Sequence, residues 1–196
     1  MMKPNKDDVI AWRGPILDRA LTQLLADVHW GDLDYLLLDL PPGTGDIAMS
    51  LGQKVPTAEV LVVTTPQQAA SEVAERAGTM AALMNQKIIG VVENMSWLAF
   101  TAPDTGKEYR IDLFGSGGGQ EAADALSKRL GTEVPLLAQV PMDIELRKGG
   151  DEGDPIVTAH PESPAAQAIV ELAKNLDSRP RGLSGMHLGV SPTNNA

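Results

Sequence analysis

Asp39 and the loop that follows it hold the residues of this chain best suited to chemistry. Asp39 closes the apolar run Leu36-Leu37-Leu38, and Leu40 then leads into Pro41-Pro42-Gly43-Thr44-Gly45-Asp46. A carboxylate at the end of a buried strand can hold Mg²⁺, usually through water. A stiff, glycine-punctuated loop leaving the carboxyl end of that strand would face a γ-phosphate in a phosphate-binding α/β protein. Gly43 could bring a bare backbone N–H close to an anion. The same residues also fit a buried parallel strand with a Pro/Gly turn and a capping aspartate, and spacing by itself leaves the two readings even.

The elements that must position these residues follow from the apolar pattern. Apolar runs alternate with helical periodicity, which predicts βα units around a parallel sheet. Gly14-Pro15 opens a helix whose stripe is Ile16, Leu17, Ala20, Leu21, Leu24, Leu25 and Val28, and Trp30-Gly31 ends it. A strand over 34–40 and a helix over 47–54 come next. Further strands are expected over 59–65, 87–93 and 136–140. Helices are expected over 69–84 and 119–130, and over 164–176, where Ser163 supplies the cap. Residues 94–118 read as a long loop or hairpin, and residues 149–155 as an acidic turn. The expected architecture is a doubly wound, mostly parallel α/β sheet with helices on both faces. It forms one domain over residues 1–176, with a flexible tail over 177–196.

Composition narrows the function. The 196 residues suffice for one domain with a sizeable core, and 43% hydrophobic against 21% charged residues reads as globular. A net charge of −10 with no Lys/Arg cluster argues against broad nucleic-acid binding and against an anionic membrane surface. There is no cysteine, hence no disulfide and no thiolate metal ligand. With no signal peptide and no long apolar run, a cytoplasmic location is expected. His29, His160 and His187 share no spacing and read as surface residues.

Several short segments occur in one order along the chain. Trp12-Arg13-Gly14-Pro15 and Trp30-Gly31-Asp32-Leu33-Asp34-Tyr35 precede the Asp39 to Asp46 segment. Thr64-Thr65-Pro66-Gln67, Val92-Glu93-Asn94-Met95-Ser96, Phe114-Gly115, Gly117-Gly118-Gly119 and Val140-Pro141-Met142-Asp143 follow it. This series resembles the Mrp/ApbC family of deviant P-loop ATPases, relatives of MinD and ParA that act as iron–sulfur cluster carriers. The resemblance implies that Asp39 is the Walker B aspartate and that residues 41–46 form switch II, so Asp39, Gly43 and Asp46 become the catalytic candidates. It implies that Asn94 hydrogen-bonds adenine, a task suited to an amide that both donates and accepts. It places Pro141, Met142 and Asp143 in the loop that closes over the base, and Arg13 near a dimer or switch surface. The implied cofactors are ATP and Mg²⁺. The implied assembly is a homodimer that delivers clusters to apoprotein targets, with neither nucleic acid nor membrane as partner.

Two departures from the family pattern qualify this reading. No G-x-x-x-x-G-K-[ST] segment occurs in the sequence. Phosphoryl transfer rests on positioning and charge neutralisation by such a loop, so the chain is expected to be a C-terminal part lacking the P-loop unit and inactive by itself. In addition, the family's Cys-Pro-x-Cys-Gly aligns here with Ala102-Pro103-Asp104-Thr105-Gly106. Ala102 and Thr105 cannot supply thiolates, so the [4Fe–4S] cluster expected from the family is unsupported by this chain. What remains of that segment is a turn, with Pro103 ahead of Gly106 in a type I arrangement. Two readings therefore stand beside the carrier: a nucleotide-dependent scaffold or partition-like regulator that carries no cluster, and an inactive fragment.

Overall fold

The computed structural model describes residues 14–40 and 46–179. Its elements are helix α1 (Gly14–Ala26), helix α2 (Asp46–Lys54), strand β1 (Glu59–Thr64), helix α3 (Gln68–Leu83), strand β2 (Lys87–Thr101) and strand β3 (Glu108–Ile111). Helix α4 (Gly118–Leu130), strand β4 (Leu136–Met142), and helices α5 (Ile144–Glu152), α6 (Ile156–Ala159) and α7 (Pro164–Asp177) complete them. Among the described residues no helix is long and apolar enough to cross a membrane.

β2 is the spine of a four-stranded sheet. It pairs in parallel with β1 along one edge (Val62↔Val91) and with β4 along the other (Asn94↔Val140). Its last residues pair antiparallel with β3, Leu98 opposite Ile111 and Phe100 opposite Tyr109. Successive strand residues face opposite sides of the sheet, and the two cores follow that alternation. Val91, with Val62 and Ile88, packs against Ala74 of α3 and Ala122, Ala123 and Leu126 of α4. Val92, with Val140, packs against Ile156 of α6 and Ala165 and Ala166 of α7. Small residues on the helices let them sit close to the β-branched sheet, and each fully buried Leu or Val there contributes about 1.5–3 kcal/mol. The sheet is thus mostly parallel and covered on both faces, as the alternating pattern predicted.

Three elements differ from the sequence reading. Residues 31–40 form no strand, and Leu37 is 88% exposed. The leucine run has no hydrogen-bonded neighbour in the described sheet, and an extended segment without a ladder has nowhere to place its N–H and C=O groups except water. The segment is tethered instead by Tyr35, whose hydroxyl donates to Asp177 Oδ1 of α7 at 2.7 Å. Residues 149–152 are helical, not an acidic turn. Asp143 caps that helix and Arg147 pairs with Asp151 at 2.9 Å one turn later, which offsets the two glycines. Finally, β2 does not stop at Glu93 but runs for 15 residues into the hairpin with β3.

Candidate functional site

β1 stops opposite Glu93 and β4 runs on to Met142, and ligands of open α/β sheets bind beyond such carboxyl ends. Asn94 of β2 and Val140 of β4 are register partners, so Asn94 lies beside Pro141 and Met142 on the neighbouring strand. Here the ladder breaks. Its register shifts between Asn94 and Leu98, and Met95 adopts a left-handed φ of 56°. Half-buried Asn94 turns its Oδ1 onto the N–H of Met95 at 2.8 Å. Its Nδ2 donates to no group among the described residues. The amide is thereby oriented by its own backbone with its donor end unspent. Pro141 is buried inside β4, which continues through Met142 instead of stopping at the proline. Asp143 follows as a helix cap, its Oδ1 accepting from Glu145 N at 2.7 Å and Leu146 N at 3.3 Å.

Behind this edge sits a group that sequence reasoning did not single out. Glu93 is 1% exposed. Its Oε2 accepts from the N–H of Gly119 in the first turn of α4 at 2.7 Å, and its Oε1 accepts from Gln139 Nε2 of β4 at 2.8 Å. Ser96, also buried, donates its hydroxyl to the Glu93 carbonyl at 2.9 Å. A buried charge persists only when paired or hydrogen-bonded. Here both oxygens are used, and the amino end of α4 supplies a favourable dipole. The glycines that open α4 make the approach possible. A Cβ on Gly119 would come within 2.6 Å of Glu93 Cβ, and one on Gly118 would run into the Pro66 carbonyl. Ser71 of α3 closes the same junction by donating to Gly118 O at 2.8 Å. A glutamate on a buried strand face, followed downstream by a glycine triplet at a helix start, was the available signal.

Asp39 lies exposed in the irregular 31–40 segment. Gly43 and the rest of residues 41–45 lie outside the described residues, as does Arg13; Asp46 opens α2, and its side chain is likewise outside them. Thr65 and Gln67 bond to each other at 2.8 Å beyond the end of β1. Ala102 and Thr105 stand at the hairpin tip. Gly106 N donates to Ala102 O at 2.8 Å with Gly106 at φ 65°, so the turn is one residue wider than an i to i+3 closure. The hairpin is instead aromatic and cationic: Phe100 stacks on Tyr109 at 5.3 Å, and the Arg110 guanidinium lies 4.1 Å from the Trp97 ring centre.

An open, mostly parallel sheet with helices on both faces and a tight helix entry at the strand ends defines a P-loop NTPase-like α/β protein. Over residues 1–177 the chain matches the ParA family model of NUBPL iron-transfer P-loop NTPases, and it belongs to that family. It is 55% identical over 184 residues to an iron–sulfur cluster carrier protein of Mycobacterium leprae, covering 94% of this chain and 47% of that one. Against the carrier of Deinococcus radiodurans it is 48% identical, covering 85% and 44%. The chain thus spans about half the length of the curated relatives it matches. Among solved structures it resembles a nucleotide-binding protein of Archaeoglobus fulgidus in complex with ADP, at 36% identity and a TM-score of 0.55 over 71% of this chain and 53% of that one. It also resembles the septum site-determining protein MinD of Pyrococcus horikoshii complexed with Mg-ADP, at 25% identity and a TM-score of 0.58 over 91% and 60%.

Proposed function

We propose that the protein is an adenine-nucleotide-dependent factor of iron–sulfur cluster assembly or transfer, acting as a homodimer that hydrolyses ATP. In this reading Asn94 and the Pro141, Met142 and Asp143 segment contact the base. Asp39 reaches Mg²⁺ through water, and residues 41–46 sense the γ-phosphate. The observation that carries the proposal is the pairing of Asn94 with Val140, the residue before Pro141, on adjacent parallel strands, at the end of the sheet where such folds take their ligands. The residues fit the base: a half-buried amide with its Nδ2 unspent can donate along a purine edge. Bound Mg²⁺ would neutralise charge on the phosphates.

The residues do not fit a family-type cluster. Ala102 and Thr105 offer no thiolate, and the chain contains no cysteine. A cluster bound in the family's manner would need thiolates from outside these 196 residues. The same absence favours the second reading, a nucleotide-dependent scaffold or partition-like regulator. Anaerobic reconstitution with iron and sulfide separates them, since stoichiometric cluster absorbance supports the carrier.

Calorimetry with ATP·Mg²⁺ tests the nucleotide site. Saturable binding is expected, weakened about tenfold by Asn94→Ala, the equivalent of one hydrogen bond. In a protein supplied with the family's glycine–lysine phosphate loop, ATP turnover is expected, and Asp39→Asn should abolish it. No binding by the folded wild-type chain and no turnover by the completed one would sink the proposal.

A further inference from the structure

We propose that Glu93 is the positioning residue of the base site, which fixes the Asn94 amide without touching the nucleotide. The inference rests on the reading of Asn94 given above, and deepens it. Glu93 and Asn94 are consecutive on β2, so their side chains leave opposite faces of the sheet. Glu93 enters the side covered by α4, where it is pinned by Gly119 N–H and by Gln139 of β4. Its own carbonyl is held by the Ser96 hydroxyl across the left-handed Met95. Three attachments thus converge on one residue: the start of α4, the neighbouring strand, and the far side of the ladder break. Asn94 lies inside that span, and the direction of its amide is set by the peptide between it and Met95. If the Glu93 carboxylate lets go, β2 can rotate at the break, and the amide loses its aim although every atom of Asn94 remains. Asp143 does not substitute for this anchor, because its carboxylate is spent on capping α5.

Glu93→Gln keeps the volume and one acceptor, but sets an amide donor against either the Gly119 N–H or the Gln139 amide. Two readouts are taken on the folded chain. The first needs no nucleotide: amide exchange at Met95, whose N–H reports the bond to Asn94. Glu93→Gln is expected to speed it about tenfold. The second is the preference for ADP over GDP by calorimetry, expected to fall about 10- to 100-fold, the scale of a misplaced contact group. In an Asn94→Ala background Glu93→Gln should cost no further preference, since coupled residues do not add. The exchanged pair Glu93→Gln with Gln139→Glu restores a carboxylate–amide bond and leaves an acceptor for Gly119, so it should recover both readouts. A purely structural role would lower thermal stability and leave preference and Met95 exchange at wild-type values; that result overturns the proposal, as does failure of the folded exchanged pair to recover. Altered Met95 exchange in a protein whose wild type shows no preference for ADP would instead uphold the positioning role and remove the adenine reading.

Discussion

Val91 and Leu37 are both apolar residues in the middle of apolar runs, yet Val91 is fully buried and Leu37 is 88% exposed. The difference lies in their neighbours. Val91 has β1 on one side, β4 on the other and α4 above it. The run containing Leu37 has no strand paired to it among the described residues. Burial is conferred on a strand by what flanks it, and the apolar pattern records only the readiness to be flanked.

The comparison can be broken directly. Leu126 is fully buried between α3 and the sheet. Leu126→Ala is expected to cost about 2–5 kcal/mol in urea unfolding, through lost transfer energy and a residual cavity. Leu37→Ala should change stability by less than about 0.5 kcal/mol, as at other exposed sites. Comparable losses for the two would show that the leucine run is packed in solution. An effect between these two is expected at the α4 junction. Gly118→Ala drives a Cβ into the Pro66 carbonyl, and overpacking of this kind costs about 1–3 kcal/mol. Accelerated amide exchange in the first turn of α4 would locate the damage there, and unchanged exchange would place it elsewhere.

The smallest expected effect is electrostatic and lies between α1 and α2. The Ser50 hydroxyl, and then Lys54, hold the Asp18 carboxyl below its ordinary pKa. A carboxylate with a depressed native pKa contributes stability that is present above its unfolded pKa and lost as pH falls through the native one. The α1–α2 contact should therefore stay constant near neutrality and loosen only below about pH 4. Asp18→Asn should remove that dependence, read as amide exchange along α1 across the titration.

The same contrast explains which parts of the molecule were legible in the sequence. The 59–65 and 136–140 runs became strands because β2 offers each of them a parallel ladder. Ser163 caps α7 as expected, its Oγ accepting from Ala166 N at 3.1 Å, because capping is decided within one turn of chain. The 34–40 strand failed because its pairing depends on a neighbour that the run does not itself encode. The extension of β2 beyond Glu93 was hidden by Asn94 and Met95, which read locally as a turn and form a break within a continuing strand. Asn94 was singled out by its motif. Glu93 escaped because its partners lie 26 and 46 residues away, a separation no local pattern reveals.

The hairpin gives the molecule a mechanical advantage. Beyond Leu98, where β2 pairs once more with Met142 of β4, the strand projects by roughly 10 Å to Thr101 at about 3.3 Å per residue. With Leu98 as the fulcrum, a rotation of about 10° sweeps the tip at Pro103, about 16 Å further on at that same rise, through roughly 3 Å. The short arm ends at a buried carboxylate held from two sides, and the long arm ends in open solvent. Displacements too small to disturb the core at Glu93 are thus enlarged to the width of a side chain at the tip.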